Sequence, residues 1–267
     1  MSARRPEVNK RIVVCVDDFG FSDAACEAAI ELAAKGAISA VSCAVDGAVA
    51  IRHALPLLAV ATDTSLGLHF NLTEPATAPA HAKLGSWLWR AQVMRSIDTT
   101  QVREELRRQL TRFETLFARP PDFVDGHEHV HQLHALAPLL IEELSARYGT
   151  RVAVRSTVPL HFRGIKAGVI AHLGGKHLLD LLHAHGLTTN ADFAGVYDFS
   201  PRIPYARRMQ QWLTSIADHG LIMCHPERAA RRRTDARSME YLFLGDEGWH
   251  RMRQHYSVRL VQFSGTG

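Results

Sequence analysis

The stretch IVVCVDDFGFSDAACEAAIELAAKGAISAVSCAV, residues 12–45, reads as a strand, a helix and a second strand without interruption. Ile12 to Val16 is an apolar run of the length of a buried strand. Ser22 is placed to cap the following helix, whose Ala, Glu and Leu residues favour it, and Gly36 is placed to end it. The segment AISAVSCAV then returns to strand composition. Such a strand–helix–strand unit makes a parallel pair. Asp17 and Asp18 stand at the exit of the first strand, where α/β folds place their chemistry. In a regular strand their carboxylates point to opposite faces.

The alternation continues along the chain. AVAIRHALPLLA reads as a helix, and TSLGLHFNLT (64–73) as a strand with Leu66, Leu68, Phe70 and Leu72 on one face and His69 and Asn71 on the other. TTQVREELRRQLTRFETLF is the clearest amphipathic helix, with Val102, Leu106, Leu110, Phe113 and Phe117 at helical spacing and Pro120 and Pro121 beyond it. DFVDGHEHVH reads as a further strand running into a loop, where His127, His129 and His131 recur with period two and Glu128 alternates away from them. APLLIEELSARYG, the region around HLLDLLHAHG and residues 205–219 read as helices; RVAVRS and GLIMCHP read as strands, the latter ending at His225. The middle, 156–200, is poorer in pattern. This order predicts a largely parallel sheet, closed or nearly so, with helices outside. Residues 1–10 are read as a tail and 11–267 as one domain, with the 74–98 loop and the region after 226 as excursions.

Composition narrows the function classes. A chain of 267 residues with 46% hydrophobic and 22% charged residues suffices for one large α/β core. The formal charge is +4 and the pI about 9.0, but the arginines are scattered apart from RAARRRTDAR at 228–237, so nucleic acid is not the expected partner. Cys15, Cys26, Cys43 and Cys224 stand far apart without a CxxC pair, and no apolar stretch follows the basic start MSARRPEVNKR; a cytoplasmic protein with free thiols is expected. Asp46 and Gly47 interrupt the longest apolar region, so no stable membrane insertion is expected. The tripeptide Asp18-Phe19-Gly20 matches the magnesium-binding motif of protein kinases, yet too little chain precedes it for the rest of a kinase. No Walker, dinucleotide-binding or GxSxG motif follows the first strand.

Asp17 and Asp18, His69 with Asn71, Asp125 with His127, and His225 each stand at or near the C-terminal end of a predicted strand, and in a parallel barrel those ends converge on one mouth. One aspartate and two histidines form a recognisable ligand set for a divalent metal, and a further carboxylate can serve as a general base. Spacing alone leaves open which of His127, His129 and His131 is a ligand. It also leaves a rival, a non-catalytic carbohydrate- or metal-binding protein with the same pocket, although a pure ligand set has no use for the second aspartate.

Taken in order, VDDFGFSD, GAISAVSCAVDG, LGLHFNLTEP, LGSWLWR, PPDFVDGHEHVHQL and LIMCHPE resemble the YdjC-like carbohydrate deacetylases, a family that includes chitooligosaccharide (diacetylchitobiose) deacetylases and hopanoid-associated deacetylases. The resemblance implies a single-domain distorted (β/α) barrel, one divalent metal ion, Mg2+ or Zn2+, and hydrolysis of an N-acetyl group on a small amino sugar. It assigns Asp18, His69 and His127 as metal ligands, Asp17 as general base and His225 as general acid. Relatives that form dimers imply a homodimer, and a lipid-linked N-acetyl sugar is the alternative substrate. Asn71 and Asp125, beside these residues, are expected to contact substrate. Trp87 and Trp89 are expected either to stack on a sugar ring or to pin their loop. The chain departs from the family's common pattern in two places. Cys15 and Val16 replace an Asn-Ala pair before the doublet, and DGHEHVH carries Gly126 and Glu128 where many relatives have DSHHHVH.

Overall fold

Successive strand residues face opposite sides of a sheet, and in β1 (Lys10–Phe19) both sides are buried beyond the first two residues. Ile12, Val14 and Val16 join the large core between sheet and helices, whereas Val13 and Cys15 join a smaller cluster with Ala40, Phe123, Ala153, Phe193, Leu221 and Met223. The smaller cluster is the inside of a curled sheet. The structure is a computed structural model and describes residues 10–73, 98–228 and 235–266. After β1 come β2 (Ala40–Cys43), β3 (Ser65–Phe70), β4 (Phe123–Gly126), β5 (Ala153–Val154), β6 (Asp192–Ala194), β7 (Gly220–Cys224) and β8 (Val258–Leu260). They run in the order β5-β4-β3-β2-β1-β7-β6, and β8 pairs with the start of β1. Each of these pairings is parallel, so the C-terminal strand ends share one edge.

Helices α1 (Asp23–Ala34), α2 (Gly47–Val60), α3 (Thr99–Phe117) and α4 (Ala137–Tyr148) cover the outer face. Ser22 Oγ accepts the N–H of Ala25 at 3.1 Å, the expected cap of α1. In α3, Val102, Leu106, Leu110, Phe113 and Phe117 are all buried, as their spacing predicted; burial of one such side chain stabilises by roughly 1.5–3 kcal/mol. The later helices are α5 (Ile165–Ile170), α6 (Lys176–Ala184), α7 (Tyr205–Ser215), α8 (Ala236–Leu244) and α9 (Glu247–His255). Among the described residues no helix is long and apolar enough to cross a membrane.

The sheet is therefore the expected parallel one, a distorted barrel, and β5 and β6 at its ends are joined by no ladder. The Val154 N–H donates to the Thr188 carbonyl ahead of β6 at 2.9 Å, and Asn190 adds side-chain bridges: its Oδ1 accepts the N–H of Ser156 at 2.8 Å, and its Nδ2 donates to the carbonyls of Ser156 and Asp192, each at 2.9 Å.

One expectation is corrected. The HEHVH segment is not extended: β4 stops at Gly126, and His127–Gln132 forms a tight 3-10 stretch in which Glu128 (φ 50°) and His129 (φ 61°) are left-handed. The period-two face of three histidines does not exist. Trp87, Trp89 and the 74–97 loop lie outside the described residues, as does 229–234 of the basic run.

Asn190→Ala leaves the buried N–H and C=O of Ser156 without this partner. Each such group costs about 1–3 kcal/mol, so urea unfolding should show a loss of about 2–4 kcal/mol; a loss below about 0.5 kcal/mol contradicts side-chain closure.

Candidate active site

The inward positions at the C-terminal strand ends form one polar layer above the apolar interior. They are Asp17 on β1, Ser42 on β2, His69 on β3, Asp125 on β4, Arg155 just beyond β5 and His225 just beyond β7. By the same alternation Asp18 should face the helices. It does not, because Val16 pairs with Val41 and Phe19 with Cys43, which leaves one extra residue in β1. Asp18 takes up that bulge in the left-handed region at φ 65°, a conformation aspartate tolerates better than most residues. Both carboxylates then line the same cavity, while Phe19 returns to the outer core. Gly20 completes the turn at φ 100°, where a Cβ would lie 2.3 Å from the Ala44 carbonyl oxygen.

Arg155 ties this layer together. Its Nη1 donates to Asp17 Oδ2 and its Nη2 to Asp17 Oδ1, both at 2.6 Å, and Nη2 lies 2.5 Å from Asp125 Oδ2. Asp125 Oδ1 in turn accepts from Ser42 Oγ at 2.5 Å and sits 2.7 Å from His69 Nδ1. All of these side chains are buried. Burial pushes the Asp125 carboxyl up, but Arg155 and then His69 overturn that and hold it below the ordinary carboxylate range. Cys15, Asp17 and Asp125 also cluster closely enough to suggest a metal site. The cation there is Arg155 itself, whose Nη2 is 3.0 Å from Cys15 Sγ.

A second cluster has no such built-in cation at its centre. Asp18 Oδ1 lies 3.2 Å from His127 Nδ1 and 3.5 Å from His69 Nε2, and the two ring nitrogens are 3.3 Å apart. Ligand atoms about 2.0–2.2 Å from a common ion sit at about this mutual spacing, so the donor set fits a single divalent cation. Asp18 Oδ1 is buried and makes no well-aligned hydrogen bond among the described residues, as expected of an atom shaped for a cation. His69 is oriented for the task because its Nδ1 faces Asp125 and Ser42, leaving Nε2 toward the cavity. Arg237 Nη1 holds the other oxygen, Asp18 Oδ2, at 3.0 Å. Three carboxylates here face two guanidinium groups. Burial opposes charge on His69, yet Asp125, with Asp18 and Asp17, raises its pKa to about 10, which shows how strongly the surrounding carboxylates favour positive charge at this point.

The cavity measures about 480 Å³ and has Asp17, Asp18, His69, His127 and His225 in its lining. Burial lowers the pKa of His225 against the pull of Asp18 and Asp17, and its Nδ1 has no hydrogen-bond partner among the described residues. Two residues expected at the substrate lie elsewhere. Asp125 is sealed behind His69, and Asn71 anchors the end of β3, its Oδ1 accepting the N–H of Thr73 and its backbone pairing with the Gln109 side chain. Glu128, expected to point away, joins the lining along with His129 because the left-handed pair turns them inward. His131 is buried, its Nε2 3.1 Å from the Arg155 carbonyl. The sequence reading missed Ser42 and Arg155; the available signal was an arginine two residues beyond inward Ala153.

Glu240 supports His225 from behind. It is buried, takes the His225 backbone N–H and receives the Tyr197 hydroxyl. Burial raises its pKa from an ordinary 4.5 to about 8, against those two hydrogen bonds. Because the folded state holds this proton more tightly than the unfolded one, the contribution to stability is full below pH 4.5 and is lost as pH rises toward 8. Denaturation midpoints should therefore fall between pH 5 and 8 in the parent and fall less in Glu240→Gln; an unchanged slope contradicts the assignment.

Comparison with known proteins agrees with this architecture. The sequence profile of the YdjC-like protein family matches residues 11–255. A chitooligosaccharide deacetylase of Serratia marcescens is 36% identical over 140 residues, covering 50% of this chain and 55% of the relative. One of Yersinia pestis (strain Pestoides F) is 33% identical over the same shares. The chain thus spans about half the length of the curated relatives it matches. A solved structure from Enterococcus faecalis V583, named for cellobiose-phosphate cleavage, superposes with a TM-score of 0.71 at 18% identity over 96% of this chain and 98% of its own. An uncharacterised protein from Agrobacterium tumefaciens C58 gives 0.57 at 13% identity over 97% and 89%. With this fold and a family match across nearly all of its length, the chain belongs to the YdjC-like protein family.

Proposed function

We propose that the protein is a metal-dependent carbohydrate N-deacetylase, a hydrolase that removes the acetyl group from a small N-acetylated amino sugar and releases acetate and a free amine. The observation that carries this reading is the division of the aspartate doublet. Asp18 converges with His69 and His127 on one point, while Asp17 lines the same cavity but is held by Arg155. The names of the Serratia and Yersinia relatives support the substrate class. A cavity of about 480 Å³ suits a small ligand, and Tyr197 and Phe199 offer apolar faces to a sugar ring.

In this reading Asp18, His69 and His127 hold one divalent ion, Zn2+ or Mg2+, two imidazoles and a carboxylate being a donor set that suits zinc. When bound, such an ion supplies Lewis-acid polarisation of a carbonyl and a lower pKa for water. Asp17 takes the proton of the attacking water. Its carboxylate has about four lone-pair sites; the fork of Arg155 occupies one on each oxygen and the Cys15 thiol, at 3.5 Å, a second on Oδ1, which fixes the group and leaves Oδ2 to accept. His225 delivers a proton to the departing amine. Burial lowers its pKa against the pull of Asp18 and Asp17, which makes the proton easier to give up. A binding protein would need the ligand trio but not Asp17. Residues 11–267 act as one catalytic unit, and the four buried free cysteines suit a cytoplasmic setting.

Acetate release from diacetylchitobiose and other N-acetyl amino sugars, with and without chelator, tests the reading. Activity should vanish with chelator and return with metal; no release from any N-acetyl sugar removes the proposal. Asp17→Asn should lower turnover by about 10²–10⁴-fold while bound metal persists, whereas His69→Ala and His127→Ala should lose both. Normal rates in Asp17→Asn contradict the base assignment.

A further inference from the structure

One wall of the cavity carries an apolar surface that the chemistry does not use. Among the described residues eight large hydrophobic side chains are conspicuously exposed, and four of them fall within 160–169: Leu160 (59%), Phe162 (83%), Ile165 (79%) and Val169 (50%). Ile165 and Val169 are one turn apart on α5 and so share a face. Lys166, Ile170 and Leu173 of the same segment line the cavity, so whatever covers the patch sits at the substrate's entrance. Residues 156–179 contain no Asp or Glu. Arg163 is tied to Asp192 and Lys166 Nζ donates to the Tyr197 carbonyl at 2.9 Å, whereas Lys176, His161 and His172 are exposed along the same stretch. Exposed hydrophobics interleaved with cations are the pattern of a segment that lies in a lipid interface.

We infer that residues 160–170 dock on an anionic lipid surface and seat the cavity mouth against it. The inference builds on reading the cavity as the hydrolase site. A second copy of the chain fits the patch less well. An isologous contact would bring together two copies of a stretch that carries cations and no carboxylate of its own, and it would obstruct the entrance. An anionic bilayer instead matches the charge, takes up Phe162 and Ile165, and presents surface-borne sugar to the mouth. No spanning helix is needed, because the segment lies in the interface.

The test is flotation of the full chain with vesicles of phosphatidylcholine alone and of phosphatidylcholine mixed with phosphatidylglycerol. The exposed Lys176 should favour the anionic vesicles by roughly fivefold at low salt, with the preference fading as salt rises. Phe162→Asp combined with Ile165→Asp should reduce binding by at least about tenfold, and Lys176→Glu should weaken the anionic preference. All of these side chains are exposed and line no part of the cavity, so acetate release from soluble diacetylchitobiose should match the parent. No flotation with either vesicle overturns the inference, as does binding that the variants leave unchanged. Sedimentation that reveals a dimer, dissociated by the double variant, assigns the patch to a second copy. Vesicle binding is read without turnover, so its failure is distinct from a failure to release acetate.

Discussion

The site depends on one buried guanidinium. Arg155 lies between Asp17 and Asp125, fully enclosed, and each carboxylate it pairs has a further task. Asp17 borders the cavity, and Asp125 orients His69. Removing one partner of such a buried pair leaves an uncompensated charge, at a cost of about 3–5 kcal/mol. The arrangement is thus a rigid frame from which the two chemically distinct parts of the site are hung. It also sets Cys15, Asp17 and Asp125 apart from the Asp18 cluster: the positive charge at their centre is part of the chain.

The second constraint is a single extra residue. A regular β1 would bury Asp18 under the helices, where a carboxylate has no partner. The bulge moves it to the mouth and restores the apolar alternation at Phe19 within one residue. Neighbouring carboxylates repel, and the structure answers with separate partners, Arg155 for Asp17 and Arg237 with the histidines for Asp18. Two adjacent aspartates then act as different chemical groups because their surroundings differ, not because their positions along the chain do.

Much of this was legible in the sequence. The apolar run of 12–16, the alternation of 64–70, the cap at Ser22 and the stripe of α3 are all local signals that a single chain carries in full. Polar residues at strand exits marked Asp17, Asp18, His69, His127 and His225 before any fold was known. What escaped was of two kinds. β6, of three residues, is too short to leave a pattern. Arg155 acts on a partner 138 residues away, and nothing local announces it. The turn after β4 misled for a related reason: HEHVH has the spacing of a strand, but the backbone must leave the sheet there, and two left-handed residues follow. Asp125 shows the remaining difficulty, since a strand-end carboxylate looks the same in sequence whether it faces a substrate or the back of a histidine.

Taken together, the bulge, the frame around Arg155 and the donor trio make one central claim, that the two aspartates face the same cavity with different partners. Anomalous diffraction from crystals grown with zinc, recorded at the zinc absorption edge, tests it most directly. The account predicts one peak bonded to Asp18, His69 and His127, with Asp17 still paired to Arg155. A peak bonded to Asp17 or Asp125 with Arg155 displaced, or one held by His129 or His131, would contradict it.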